Sequence, residues 1–399
     1  MNGAKRLVYL DNNATTMVDP EVVDAMLPFL RDNYGNPSSI HDFGGHIARD
    51  VERARARVAD LLGAENDYEI VFTSCGTESD NHAISGTLAY YRDKRHIITS
   101  KVEHPAVLNL CRKLEKEGYR VSYVPVDREG MLDMEFLRRS VDDDTAIVSI
   151  MHANNETGVL FPVEEIAGFL RERGVPFHVD GVQAAGKIPL DMQKIGCDLY
   201  SVSGHKFHAP KGVGALYIRR GTRIRPLLYG GHQERGRRPG TENVAGIVAL
   251  GVAAELAKKS LGREAEIQRL RDKLEKGILA RFTNVSLNGS ARSRVPNTTN
   301  LGFEYIEGEA ILLYLNEKGI AASSGSACSS GSLEPSHVLR AMGVPFTAAH
   351  GSIRFSLSRF TTEEEIDYTL SVMPEIIERL LEISPFWDNK RKQGRPVTL

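Results

Sequence analysis

Asp198-Leu-Tyr-Ser-Val-Ser-Gly-His-Lys-Phe-His-Ala-Pro-Lys-Gly212 is the stretch on which the reading of this chain turns. Asp198–Ser203 has the composition of a short strand, and Gly204, Pro210 and Gly212 end it in a turn. The turn sets the Lys206 amine at the carboxyl end of a strand, between Ser203, His205 and their neighbours. In open α/β sheets that edge is where ligands are held. A lysine withdrawn from water there can lose its proton and form a Schiff base with an aldehyde cofactor. By its spacing alone, Lys206 would more often be a solvated surface residue, so the surrounding chain has to decide.

Outward from this stretch, strand-like and helical runs alternate. Strands are expected at Glu69–Thr73, His96–Ser100, Val121–Val124, Thr145–Ile150, Pro176–Val179 and Val213–Ile218. Helices fit between most of them, at Glu78–Tyr91, Pro105–Lys116, Asp133–Arg139 and Val163–Arg173. This alternation predicts an α/β fold built of βαβ units, with a mostly parallel sheet of about seven strands covered by helices. Upstream lie a short strand at Leu7–Leu10, a helix from Pro20 capped by Asp19, and a long helix from about His41 to Leu62 closed by Gly63. The alternation stops near Gly240. Thr241–Lys259 and Glu264–Phe282 read as helices, followed by a strand at Asn300–Phe303, a helix at Ile306–Gly319 and a strand at Ser352–Ser356. The expected organisation is a large cofactor-binding α/β domain over 16–259 and a smaller α+β domain made of 1–15 and 260–399.

Composition narrows the function. The 399 residues are 41% hydrophobic and 26% charged with a formal net charge of -2, so no overall basic field argues for nucleic acid. No apolar run approaches the ~20 residues needed to span a bilayer. The N-terminal residues lack the apolar segment of a secretory signal, which makes the cytoplasm the default location. Cys75, Cys111, Cys197 and Cys328 are scattered without a CxxC pair, which argues against a structural zinc site or a disulfide framework. Cys111 and Cys197 read as small core residues.

Several of the expected strands end in residues suited to a site. Cys75-Gly-Thr opens a helix and offers free N–H groups to a phosphate. His104 follows the next strand, Asn155 a later one, and Asp180 and Gln183 the one before Lys206. Each has an ordinary structural alternative: a helix cap, a structural imidazole or a local ion pair. Together they form a cradle: an acid for a protonated ring nitrogen, a lysine for an aldehyde, and a turn for a phosphate. Pyridoxal 5'-phosphate carries all three groups.

Four strings, Tyr9-Leu-Asp-Asn-Asn-Ala-Thr-Thr16, Thr73-Ser-Cys-Gly-Thr-Glu-Ser-Asp-Asn81, His178-Val-Asp-Gly-Val-Gln-Ala184 and Ser203-Gly-His-Lys206, resemble class V enzymes of the pyridoxal-phosphate-dependent transferase fold (type I). More closely, the chain resembles the cysteine desulfurases of iron–sulfur cluster assembly and nitrogen fixation, over nearly its whole length. That resemblance implies that Lys206 holds the cofactor, that His104 stacks on its ring and assists proton transfer, and that Asp180 pairs with the ring nitrogen and Gln183 with the ring hydroxyl. It implies that Gly76, Thr77, Ser203 and His205 bind the phosphate, and that Asn155 and Arg354 hold the substrate carboxylate. Thr241 would reach the phosphate in a second subunit, which implies a homodimer. Pro239 stands where that family usually has serine, which puts the details of this contact in question.

Ser323-Ser-Gly-Ser-Ala-Cys-Ser-Ser-Gly331 has nothing with which to build a core, and is expected to be a mobile loop around one thiol. A flexible linker with an incidental cysteine is the plain alternative. The resemblance makes Cys328 the nucleophile: it attacks the sulfur of L-cysteine, releases L-alanine and carries a persulfide to a scaffold or other sulfur-acceptor protein. No resident metal is expected, although Cys328 could ligate an iron–sulfur cluster transiently during transfer. A selenocysteine lyase or a small-amino-acid aminotransferase of the same fold, and less readily a non-catalytic iron–sulfur scaffold, remain as alternatives.

Overall fold

A computed structural model describes residues 7–324, 335–388 and 393–394. A short strand, Val8–Tyr9 (β1), is followed by two helices, Pro20–Arg31 (α1) and Asp42–Leu62 (α2). Local chemistry sets their limits. Asp19 accepts the Glu21 N–H at 3.0 Å and caps α1, with Pro20 in the first turn, where a missing N–H costs nothing. Gly63 ends α2 in the left-handed conformation at φ 63°, which a glycine adopts without strain.

The alternating section follows: Ile70–Thr73 (β2), Gly76–Tyr90 (α3), His96–Ser100 (β3), Pro105–Lys116 (α4), Arg120–Val124 (β4), Met134–Ser140 (α5) and Thr145–Met151 (β5). It continues with Val163–Arg171 (α6), Phe177–Asp180 (β6), Met192–Ile195 (α7), Leu199–Ser203 (β7) and Gly214–Ile218 (β8). The strands form one seven-stranded sheet in the order β2-β8-β7-β6-β5-β3-β4. All pairs are parallel except those of β8, which runs against both neighbours. The reversal has a simple cause. Residues 204–213 join β7 to β8, too few for the crossover of about a dozen or more residues that a parallel neighbour requires.

Helices cover both faces, so every residue of β5 is buried. On one face Val148, Ile150 and Val179 pack with Val58 of α2 and Ile166 of α6; on the other Ile147 and Leu216 pack with Ile84 of α3 and Val107 of α4. Each such aliphatic side chain contributes roughly 1.5–3 kcal/mol by leaving water.

The remaining chain gives Val244–Ser260 (α8), Glu264–Leu279 (α9), Val285–Leu287 (β9), Thr298–Phe303 (β10), Gly308–Glu317 (α10) and Ile320–Ala321 (β11). Then come His337–Ala341 (α11), Phe346–His350 (α12), Ser352–Ser356 (β12) and Glu363–Ile383 (α13). Helix α8 begins at Val244 rather than at the expected Thr241, because Asn243 caps it by accepting the Gly246 N–H at 3.2 Å. Strands β12, β10 and β9 make an antiparallel sheet, and β1 pairs in parallel with β11. Val8 and Leu10 pack there with Leu274, Phe303, Phe355 and Ile377, so the N-terminal strand joins the second core. Val338, Leu339 and Met342 cross back into the core of the large sheet. The reading from sequence passed over α13, although Thr362 and Glu365 form a complete capping box at its start. Among the described residues, no helix is long and apolar enough to cross a membrane.

Candidate active site

The carboxyl-end side of the large sheet opens on a cavity of about 350 Å3. Strand β7 ends at Ser203, and one tight turn, Gly204–Lys206, carries Lys206 into the cavity wall. The Lys206 amine donates to the Asn13 carbonyl at 2.6 Å and the Ala14 carbonyl at 2.9 Å. These acceptors stand more than 190 residues earlier in the chain, Asn13 by 193 positions.

Strand β6 ends in Asp180, 5% exposed, whose carboxylate accepts the Val182 N–H at 3.0 Å. Burial raises its pKa above the usual carboxylate range, while His104, that backbone bond and Lys206 draw it back. A buried carboxyl on a cavity wall calls for a cationic or N–H partner, and a protonated ring nitrogen is one. Asp80 of α3 lines the same cavity; its Oδ1 has no hydrogen-bond partner among the described residues and lies 3.6 Å from His178 Nε2. Burial first and Asp180 second push the Asp80 carboxyl well up, which favours its neutral form. Burial drives His178 down to about 3, so this imidazole is neutral.

Helix α3 begins at Gly76, and its cap residue Cys75 makes no side-chain cap bond. Gly76 and Thr77 line the cavity, so the first turn of a fifteen-residue helix meets it with unsatisfied N–H groups and the positive end of the dipole. A Cβ at Gly76 would stand 2.8 Å from Val182 Cγ2, so this close approach favours glycine. Ser203 and His205 share the lining. His205 Nδ1 is 3.1 Å from Thr15 Oγ1, and burial followed by Lys206 holds the ring down to about 4. His104 caps α4 by accepting the Ala106 N–H on Nδ1 at 3.2 Å, which leaves the proton of the neutral ring on Nε2. Burial keeps that ring below the ordinary imidazole range.

Arg354 of β12 closes the cavity from the other side. It is 2% exposed, donates from Nη2 to Asp11 Oδ1 at 2.7 Å and from Nη1 to the Asn155 carbonyl at 2.8 Å. Its Nε has no partner among the described residues, a spare buried donor suited to a carboxylate. Gln183 gives Nε2–H to the Asn13 carbonyl at 2.9 Å and accepts Lys187 Nζ on Oε1, which leaves one amide N–H in hand.

Ten residues named from the sequence therefore meet at one cavity: the eight treated above from Gly76 to Lys206, with Asn155 and Arg354. Thr241 does not; it lies in a separate cleft of about 160 Å3 beside Ser74, Gly212 and Arg238. Cys328, the expected nucleophile, lies outside the described residues. Sequence reasoning gave no task to Asp11, Asn13, Asp80 or Lys187. The first three stand inside the quoted strings, but nothing in those strings tells that an N-terminal loop lies over Lys206. The donor set — an open helix N-terminus, a buried acid and a lysine at a strand end — fits pyridoxal phosphate.

The aminotransferase class-V family model matches residues 8–369. A protein of Trichormus azollae named cysteine desulfurase is 62% identical over 384 residues, 95% of each chain. The cysteine desulfurase NifS of Azotobacter vinelandii is 58% identical over 381 residues, again 95% of each. Among solved structures, a NifS-like protein has a TM-score of 0.87 at 42% identity, covering 95% of this chain and 100% of its own. A NifS-like protein from Rickettsia africae has a TM-score of 0.84 at 32% identity, covering 94% and 100%. With its strand-end lysine, buried acid and open helix N-terminus matched by likeness across nearly its full length, this chain belongs to the aminotransferase class-V family, beside the cysteine desulfurases.

Proposed function

We propose that this protein is a pyridoxal-phosphate-dependent cysteine desulfurase that takes sulfur from L-cysteine, releases L-alanine and leaves a persulfide on Cys328. The observation that carries most weight is that Lys206, Asp180 and the first turn of α3, from three separate elements, line one cavity. Lys206 would hold the cofactor covalently through its amine, and Asp180 would pair with the ring nitrogen. The remaining N–H of Gln183 would meet the ring hydroxyl. Gly76, Thr77, Ser203 and His205 would bind the phosphate, and His104 would lie against the ring. Thr241 would serve the cofactor of a second copy, which makes the working unit a homodimer. The large domain, 16–259, would then carry the cofactor, and the small one, 1–15 with 260–399, would bring Arg354 and Cys328.

When bound, the cofactor supplies an electron sink that stabilises the carbanion left at the substrate Cα. Arg354 and Asn155 orient the L-cysteine carboxylate. The Lys206 amine, when free, would remove the substrate Cα proton. His104 keeps a proton on Nε2 and is placed to pass it on. The Cys328 thiolate attacks the substrate sulfur; an S–S bond forms, the Cβ–S bond breaks, and its electron pair stays on carbon and takes up a proton. One L-cysteine and one protein thiol become one L-alanine and one protein persulfide, so atoms and electrons balance. An acceptor thiol, on an iron–sulfur scaffold or another cytoplasmic sulfur-accepting protein, then removes the sulfur by exchange.

Incubation with L-cysteine and a reducing thiol should give alanine and sulfide in equal amounts, and Cys328→Ala should abolish both. A Cys328→Ala protein that still converts a keto-acid acceptor would make this an aminotransferase. A strong preference for selenocysteine would make it a lyase of that substrate.

A further inference from the structure

Asn13 lies in the loop between β1 and α1, to which the reaction above gives no task. It is 2% exposed and bonded through all its polar atoms. Its main-chain N–H donates to Ser356 Oγ at 2.9 Å, and its carbonyl accepts from Lys206 Nζ at 2.6 Å and Gln183 Nε2 at 2.9 Å. Its side-chain NH2 donates to Thr298 Oγ1 at 2.9 Å and the Asn155 carbonyl at 3.2 Å. Its Oδ1 accepts from Lys187 Nζ at 2.8 Å and Asn297 Nδ2 at 3.2 Å. An amide has two N–H donors and two acceptor lone pairs, and here all four are in use. The side chain is thereby locked, and with it the direction of the carbonyl that receives Lys206.

Lys187 is the less expected partner. One helical turn's length beyond Gln183, it bonds both Gln183 Oε1 and Asn13 Oδ1, so one amine joins the two residues that meet at the Asn13 carbonyl receiving Lys206. Its partners among the described residues are amide oxygens, with no carboxylate in salt-bridge range. Burial first, then the Lys206 and Arg354 cations, hold Lys187 well below the ordinary lysine range. An apolar side chain would avoid that cost, so the value of the amine lies in what it holds.

We propose that Asn13 is the positioning residue for the Lys206 amine, and that Lys187 acts through it, fixing Asn13 and Gln183 as one bracket behind the cavity. When Lys206 is not bound to cofactor, its amine rests on the Asn13 and Ala14 carbonyls rather than in solvent. The inference rests on the reading of Lys206 as the cofactor lysine.

The test is the rate at which the full-length apoprotein takes up pyridoxal phosphate, followed by its yellow absorbance, together with the visible circular dichroism of the loaded protein. Lys187→Met, Asn13→Ala and the double variant are compared with wild type. Each single change should slow uptake about tenfold or more and alter the dichroism band, since a misplaced amine presents the ring at a different angle. The double variant should be no slower than Asn13→Ala, because Lys187 works through Asn13. Wild-type uptake and dichroism in Lys187→Met would overturn the proposal, as would additive slowing in the double variant with an unchanged band. If Asn13→Ala does not fold, Lys187→Met and the milder Lys187→Gln, expected between Met and wild type, carry the test alone. Lys206→Ala runs in parallel: covalent uptake at the wild-type rate would sink the reading of Lys206 itself. Loss of uptake there, with the Lys187 and Asn13 variants unaffected, would sink only the bracket.

Discussion

On one side of the cavity, Lys206, Asp180 and Gly76 stand at the ends of β7 and β6 and at the start of α3, all within the large sheet and its helices. On the other side, Arg354 of β12 reaches Asp11 across 343 positions of sequence, and Asn13 reaches Lys206 across 193. The first wall follows from strand pairing. Asp180 is placed by its parallel register with Met151 of β5 and Ser201 of β7, so any sequence that forms this sheet puts the acid there. The second wall depends on the N-terminal loop docking on β12, where Asn12 Nδ2 and the Asn13 N–H both bond Ser356. The first wall should govern the cofactor and the Arg354–Asp11 pair of the second the substrate, and substitutions can separate them.

The largest effect belongs to the sheet-built wall. Asp180→Asn should lower turnover about a hundredfold or more and shift the cofactor absorbance, because a neutral amide cannot hold a protonated ring nitrogen. Steady-state kinetics and an absorbance spectrum check this. Arg354→Gln comes next: KM for L-cysteine should rise roughly 30- to 100-fold with the cofactor spectrum unchanged, the loss expected when a buried charge partner of a carboxylate is removed. Asp11→Asn frees Arg354 from its anchor at 2.7 Å without removing it, so KM should rise by about tenfold at most. A spectrum altered as much in Asp11→Asn as in Asp180→Asn would show that the two walls are one unit.

The smallest effect tests how the walls are tied together. Glu103, fully buried beside His104, accepts from Ser100 Oγ at 2.5 Å and from the Met151 N–H at 3.1 Å, and its carbonyl accepts from His337 Nε2 at 2.9 Å. Burial raises its carboxyl above the ordinary carboxylate range, to about 8. A group whose folded pKa is raised stabilises the fold fully below its unfolded pKa and loses that contribution as pH rises through the folded one. The thermal midpoint should therefore decline between about pH 5 and pH 8 from this group, and Glu103→Gln, which cannot ionise, should flatten the decline. An unchanged slope in Glu103→Gln would mean that Glu103 is ionised throughout.

Much of the first wall was legible from the residues. The strands at His96–Ser100 and Ser352–Ser356 and the helix at Pro105–Lys116 fall where the pattern places them, because Pro, capping groups and β-branched runs act locally. Lys206, Asp180 and Gly76 were readable for the same reason, as each ends or opens a local element. Of the second wall, Arg354 was named only through likeness to a family, and the rest was not legible. Asp11, Asn13 and Lys187 have no local pattern that gives them a task, and their partners, Arg354, Lys206, Asn297 and Thr298, lie far along the chain. Helix α8 starts at Val244 rather than Thr241 because, of Thr241, Glu242 and Asn243, it is Asn243 whose side chain accepts the Gly246 N–H.

The sequence by itself determined the α/β class, the mostly parallel sheet and the places of Lys206, Asp180 and Gly76 at the ends of their elements, and, through likeness to a family, the expected roles of these residues and of Cys328. These depend on interactions within one element or between neighbours along the chain. The tertiary structure alone decided that Thr241 stands away from its own chain's cavity, and that an N-terminal loop supplies the carbonyls on which Lys206 rests. The physical reason is one of range: a cap or a strand is chosen by bonds a few residues long, whereas the Asn13 bracket exists only after two cores have formed and pressed a loop between them.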